Sequence, residues 1–407
     1  MPEALIASVA RSPIGRALKG SLTAVRPDDL AAQMVETAIA RVPQLDPAEI
    51  EDMYVGCGEP YDEQGTNIAR RVAVLAGLDA LPGATVNRFC SSSLQTTRMA
   101  MHAIRAGEGD VFVSAGVECV SRYADPSSGG AVADRFLNPR FATAEARSEQ
   151  MAQAEVPWTD PRADGRLPDV YIGMGHTAEN VASLCAISRE RQDEFAVLSQ
   201  QRAERAIAEG FFAREIVPVR TPDGTLVAGD DGPRPGTTYE KVAALKPVFR
   251  TNGTVTAGNS CPLNDGAAAL VVISDRRAEQ LGIEPLARIV ATGVSALSPE
   301  IMGLGPVEAS RRALARAGLS IADIDLVEIN EAFAAQVLAS AAQLDIDPDR
   351  LNVHGGAIAL GHPFGMTGAR ITATLINGLR SRGGRYGLET MCVGGGQGMA
   401  MVLEALS

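Results

Sequence analysis

Two stretches of this chain, NRFCSSSLQTTRMAMHAIRAGEGDVFVSAG in its first third and NVHGGAIALGHPFGMTGARITATLINGLRSRGG near its end, share one plan. Each runs from a strand end, through a small-residue loop bearing a reactive side chain, into a helix and then another strand. Short apolar runs alternating with runs of helical period imply βαβ crossovers and a parallel sheet. The expected strands are 4–9, 52–55, 84–87 and 111–115, then 268–273, 287–291, 326–328 and 399–404. Helices are expected at 28–40, 92–106, 306–317, 332–344 and 367–379. No residue identity is visible between the two stretches, so a duplicated fold is expected from their plan alone.

Between 121 and 249 the pattern changes to irregular polar stretches (RYADPSSGGAVADRF, VPWTDPRADGRLPD, TPDGTLVAGDDGPRPG) around one helical region at 177–209. A long insertion inside an α/β domain is usually a lid or a ligand-binding layer. The expected division is therefore residues 1–277, carrying a loop domain at 121–249, and residues 278–407.

Composition closes off several classes of function. A net charge of -12 argues against non-specific nucleic-acid binding. No run of about 18 apolar residues exists, so no membrane span is expected. The opening MPEALIASVARSPIG does not read as a secretory signal, which makes the cytoplasm the expected compartment. The six cysteines form no CxxC pair and the four histidines have no metal-ligand spacing, so neither a metal nor a disulfide framework is expected.

Three islands carry chemistry. In Asn87-Arg88-Phe89-Cys90-Ser91-Ser92-Ser93, Cys90 sits at a strand-to-helix turn. There the helix dipole can lower a thiol pKa to about 3.5–7.5, although a buried cysteine under a capped helix is an equally good reading of this island alone. In His354-Gly355-Gly356-Ala357-Ile358-Ala359-Leu360-Gly361-His362-Pro363, glycines bend the backbone and Pro363 restricts His362. In Cys392-Val393-Gly394-Gly395-Gly396-Gln397-Gly398 a thiol lies near the tip of a Gly-rich hairpin. Together they supply a nucleophile, a base, a second thiol and glycine amides for an oxyanion.

With these residues in place the chain resembles the thiolase family along essentially its whole length, through NRFCSSS, MGHTAENVA, GNSCPLNDGAAA, NEAFA, NVHGGAIALGHPFGMTGAR and CVGGGQG in that order. The resemblance implies two βαβαβαββ halves in five layers with an inserted loop domain. It also implies cleavage of a 3-ketoacyl-CoA by CoA, with Cys90 as the acylated nucleophile, His362 as its base and Cys392 as the acid/base at C2. Asn330 would hold a water that completes one oxyanion hole with His362, and the amides of Cys90 and Gly394 would form the other. Met174 and Phe333 would line the pantetheine or acyl channel, Cys261 would lie near the pantetheine arm, and Arg220, Arg234 and Lys246 are candidates for the CoA nucleotide. Coenzyme A enters as co-substrate, no bound cofactor is implied, and a homodimer or homotetramer is expected, with a partner subunit for the preceding β-oxidation steps left open.

Three positions depart from the family pattern. Ser93 stands where many members have Gly, Cys261 where some carry Ser, and Gly173 where short-chain biosynthetic members carry His. Gly173 favours a degradative 3-ketoacyl-CoA thiolase over an acetoacetyl-CoA thiolase working in the condensing direction. A carrier-protein ketosynthase would need two histidines, and Asn330-Glu331 occupies the place of one. A silent lipid-binding relative should have lost Cys90, His362 or Cys392, and all three are present.

Overall fold

The computed structural model describes residues 1–123, 137–154 and 156–406; most of the RYADPSSGGAVADRF stretch lies outside them. In the first half, strands β1 (Ala4–Arg11), β2 (Gly15–Arg16), β3 (Asp52–Gly56), β4 (Gly83–Val86) and β5 (Val111–Cys119) are interleaved with helices α1 (Pro27–Ala40), α2 (Ile68–Leu75) and α3 (Ser92–Ala106). The insertion follows, with α4 (Ala142–Ala154), α5 (Met174–Leu184), α6 (Arg189–Ala208), the small hairpin β6 (Val219–Arg220) and β7 (Leu226–Val227), and α7 (Tyr239–Ala243). Strand β8 (Asn264–Ser274) and helix α8 (Asp275–Leu281) lead to the second half. That half contains β9 (Ala287–Ala296), α9 (Gly305–Ala317), β10 (Leu326–Ile329), α10 (Ala334–Gln343), α11 (Ala357–Leu360), α12 (Thr367–Arg382), β11 (Tyr386–Val393) and β12 (Gln397–Ala405).

The main sheet runs β10-β11-β12-β9-β1-β8-β5-β3-β4, and it reads alike in both directions from the β1/β9 seam. On one side β1 is followed by β8, β5, β3 and β4. On the other β9 is followed by β12, β11 and β10, with Leu351 bridging Val327 in parallel where β4 stands in the first half. This is the duplication that the two matching stretches implied. The sheet is mixed, however, and not parallel throughout: β3, β4 and β5 are parallel, as are β10 and β11, while β8 and β12 pair antiparallel with both neighbours. The crossover logic holds only for strands joined by a helix. Strand β12 returns through a tight hairpin and β8 through the insertion, and either connection allows antiparallel entry.

Three apolar clusters match three helical layers. One joins α3 and α12 between the sheet halves, a second packs α1 and α2 on the first half, and a third packs α9 and α10 on the second. With both faces covered, strands lose the alternation of a half-solvated sheet, and all nine residues of β5 are buried. The expected helix at 177–209 is two helices, because Ala186 takes a left-handed φ of 52° and the Ser188 side chain accepts the Arg191 N–H to start α6. Among the described residues no helix is long and apolar enough to cross a membrane.

Candidate active site

The layers bring the N-termini of α3 and α12 together beneath the loops that carry the three islands. The contact depends on glycine: a Cβ at Gly116 would lie 2.1 Å from the Gly365 carbonyl oxygen and 2.5 Å from the Ser93 Cβ. Ser93, the departure from the family's glycine, uses its hydroxyl to accept the Ala369 N–H at 2.9 Å and so ties the two helices to each other.

Cys90 lies in a single 3-10 turn, Phe89–Ser91, between β4 and α3. Phe89 is held at φ 44°, a left-handed conformation that an aromatic residue adopts at a cost of about 1–3 kcal/mol. The Asn87 side chain accepts the Phe89 N–H at 2.8 Å, and the Ser92 hydroxyl donates to the Phe89 carbonyl at 2.6 Å. The thiol meets the backbone N–H of Gly394, from the β11–β12 turn, and its own N–H. Two amides thus lie beside the sulfur, placed to receive an oxyanion on a carbon bonded to it. The thiol pKa is nevertheless pushed up to about 12, chiefly by burial, and only partly relieved by those amides. The expected depression toward neutrality therefore does not occur in the free site, because α3 begins beyond Cys90 and protein crowds the half-buried thiol.

Cys392 and Cys261 lie close enough to Cys90 for the thiols to act on one another, and burial followed by that mutual repulsion raises the pKa of Cys392 well above its ordinary value. Cys392 is fully buried and packs with Ala178, Val255, Met302, Ala332 and Phe333, with Met174, Phe249 and Cys261 against them. Met174, Cys261 and Phe333 therefore do gather beside the catalytic candidates.

His362 is 1% exposed, and its hydrogen bonds reveal its tautomer. The Thr367 hydroxyl donates to the Pro363 carbonyl at 2.8 Å, so its lone pair accepts from His362 Nδ1 at 2.6 Å. The proton is thus on Nδ1, and Nε2 accepts from the Asn330 Nδ2 at 3.2 Å. The backbone is fixed as well. Asn264 Oδ1 accepts the His362 N–H at 2.9 Å, and Gly361 at φ 114° passes so close that a Cβ would lie 2.6 Å from the Asn264 amide. Burial, then the positive charge of Arg370, lowers the His362 pKa to about 3. Nε2 therefore stays a free base at every ordinary pH. We expect kcat/KM to show no acid limb near the usual His value of about 6.5. A thiolysis profile from about pH 5.5 to 8 checks this, and a break near 6.5 would contradict it.

Asn330 Oδ1 is buried without a partner among the described residues, so one amide face is committed to His362 and the other is open. The neighbouring Glu331 accepts from Ser199 Oγ at 2.6 Å, Asn352 Nδ2 at 2.9 Å and the Ile358 N–H at 3.1 Å, locking the loop that leads to His362 onto α6.

The nucleotide candidates are placed differently. Arg220 is exposed on the small hairpin and donates to Gly224 in that hairpin's own turn; the hairpin packs on the α1 side. Lys246 is exposed just before the 247–256 bridge that leads to Phe249 and Val255. Arg234 is exposed in the segment before α7. The structure brings none of these three to the thiols.

Sequence reading missed Glu118, although a lone carboxylate in VFVSAGVEC was a signal that it must be partnered. Glu118 accepts N–H groups of Gly58 at 2.7 Å, Glu59 at 3.1 Å and Gly365 at 2.8 Å, and Gln64 Nε2 at 2.8 Å. It joins the loop after β3 to the turn after His362, and burial raises its pKa to about 7. Glu118→Ala would orphan these donors, and we expect about 3–5 kcal/mol of destabilisation with a fall in kcat. Denaturant unfolding of the variant checks this, and a loss under about 1 kcal/mol would contradict it.

Comparison with known proteins gives the family. The N-terminal domain model of thiolase matches residues 4–276 and the C-terminal domain model matches residues 283–405. The chain is 45% identical to the 3-oxoadipyl-CoA/3-oxo-5,6-dehydrosuberyl-CoA thiolase of Escherichia coli, covering 99% of this chain and 100% of that one. It is 43% identical, at the same coverage, to a 3-ketoacyl-CoA thiolase of Bacillus subtilis. Its structure is similar to those of the Bacillus anthracis acetyl-CoA acetyltransferase (TM-score 0.86, 39% identity, 100% of this chain and 99% of that one) and human mitochondrial 3-ketoacyl-CoA thiolase (TM-score 0.86, 35% identity, 99% of each). On both domain models, full-length relatives and fold, the chain belongs to the thiolase family of acyltransferases.

Proposed function

We propose that this chain is a degradative 3-ketoacyl-CoA thiolase that passes the shortened acyl group through Cys90. The observation that carries the reading is the placement of the Gly394 and Cys90 amides beside the Cys90 sulfur, next to a second buried thiol, in a site whose imidazole is neutral before the reaction begins.

The Asn330 Nδ2 releases His362 Nε2, which takes the Cys90 proton as the sulfur bonds to C3 of the substrate, and the oxyanion rests on the two amides. Collapse of that adduct restores the C3 carbonyl as a thioester and breaks C2–C3, sending the electron pair into the acetyl-CoA enolate. The enolate oxygen faces His362 and a water held by Asn330 Oδ1. Cys392 supplies the proton to C2, so acetyl-CoA leaves. A second CoA thiol then attacks the acyl-Cys90 thioester, releasing the shortened acyl-CoA and returning the protons. Coenzyme A is thus a co-substrate, with no resident cofactor. The reading further places the enzyme in the cytoplasm as a homo-oligomer, supplied by the preceding β-oxidation steps.

A longer acyl chain is favoured because the side chains packed beside Cys392, among them Met174, Phe249, Met302 and Phe333, are apolar, and a Cβ at Gly173 would meet only His176, at 3.4 Å. Each further buried CH₂ contributes about 0.8 kcal/mol, or roughly fourfold in kcat/KM. Rates on acetoacetyl-CoA and on medium- and long-chain 3-ketoacyl-CoAs, followed by loss of the enolate absorbance, test the reading. Rates should rise with length. Activity confined to acetoacetyl-CoA would move the chain to the biosynthetic class. The names of the Escherichia coli relative and of a β-ketoadipyl-CoA thiolase of Pseudomonas aeruginosa, 43% identical, favour an acid-ended acyl group as a second reading. 3-Oxoadipyl-CoA turning over faster than any neutral chain would establish it.

A further inference from the structure

Away from the thiols, the C-terminal ends of α6 and α12 enclose a cavity of about 270 Å³ lined by Arg205, Arg214, Arg382, His354, Phe211 and Glu209. We propose that this cavity is a second ligand site, built for a small, multiply charged oxyanion of the phosphate class, either the free ion or a phosphate monoester.

The charge is the first argument. In a chain of net charge -12, three arginines from three separate elements border one cavity, and among the described residues none has an acidic side chain within ion-pair distance. Against Glu209 the lining carries three positive charges and one negative, a net +2 with His354 neutral. Arg205 and Arg382 sit in the last turns of α6 and α12, where a cation favours the helix dipole. That accounts for two of them but not for Arg214, which follows the 3-10 turn after α6 and joins the same cavity. Guanidinium forks match the oxygens of phosphate in pairs, so a dianion would neutralise the lining formed by these three exposed arginines.

His354 is the second argument. It is 8% exposed, and its ring is stacked on Phe211 with centroids 3.7 Å apart, which fixes the imidazole at the wall. Its Nδ1 has no hydrogen-bond partner among the described residues. Gly378 lets α12 approach this edge of the ring, since a Cβ there would lie 3.2 Å from Cε1 and 3.5 Å from Nδ1. A buried polar atom without a partner costs about 1–3 kcal/mol unless something is there to bond it. The volume lies just below the range usual for drug-sized ligands, suited to a phosphate or a compact ester rather than an acyl-CoA.

The test is calorimetric titration of the full chain, at fixed ionic strength, with inorganic phosphate, with adenosine monophosphate and with neutral adenosine. We expect saturable binding of one equivalent per chain by phosphate or the monophosphate and none by adenosine; either order of affinity supports the site and identifies the ligand's form. Arg214→Gln combined with Arg382→Gln should weaken binding at least about tenfold, with basal thiolysis and the ligand-free melting temperature unchanged. Arg205→Gln, from a different element than either, should weaken it independently. No saturable heat from either anion, or binding unaltered by these variants, would overturn the proposal.

Discussion

Cys90→Ala should lose on the order of 10⁴–10⁶ in kcat for thiolysis, since removing a nucleophile leaves only binding and oxyanion stabilisation. The size follows from the geometry around the sulfur. The Gly394 and Cys90 amides are aimed at a group bonded to that atom, and without the bond they hold nothing that develops charge. The thiol itself contributes little to stability, because only one small group is lost and the fold around it is set by Phe89, Asn87 and Ser92. The melting temperature should therefore stay within a few degrees. Steady-state rates on the best 3-ketoacyl-CoA, beside a thermal melt, check both halves. A variant keeping more than about a hundredth of kcat would mean that another thiol does the chemistry.

Cys392→Ala should divide the reaction in two. Cleavage of C2–C3 requires a proton at C2, and loss of the general acid should slow it by about 10²–10⁴. Transfer of an acyl group between Cys90 and CoA needs no proton at that carbon. Exchange of labelled CoA into a saturated acyl-CoA should then persist within a few-fold of the native rate. The prediction is discriminating because Cys392 and Cys261 are near-neighbours of Cys90, and either thiol could have been the acid. Equal loss in both half-reactions would show that Cys392 shapes the site without moving a proton. Retention of full thiolysis would transfer the role to Cys261.

Much of this site is legible in the sequence alone. Cys90, His362 and Cys392 stand in loops punctuated by serine, glycine and proline, which are local signals that survive without tertiary information. The repeated strand–loop–helix plan is visible for the same reason, since hydrophobic period is local. Strand direction is not local, and β8 and β12 read like any buried strand although they run against their neighbours. The left-handed backbone of Phe89 has no sequence signal, because phenylalanine has no preference for it and the surrounding fold imposes it. The high thiol pKa of Cys90 is likewise hidden because it is set by burial, and a helix-terminus argument sees only the favourable term. Arg205, Arg214 and Arg382 each look like solvated charge in sequence, and only the packing of α6 against the His354 loop and α12 puts them around one cavity.

Every step proposed for the reaction depends on an acyl group carried by Cys90. Quenching the enzyme with a 3-ketoacyl-CoA in the absence of free CoA, then mapping peptides by mass spectrometry, tests it. The shortened acyl group is expected on the peptide containing Cys90, in step with release of one acetyl-CoA. Acetyl-CoA release with no adduct, or an adduct found on Cys261 or Cys392 instead, would contradict the mechanism.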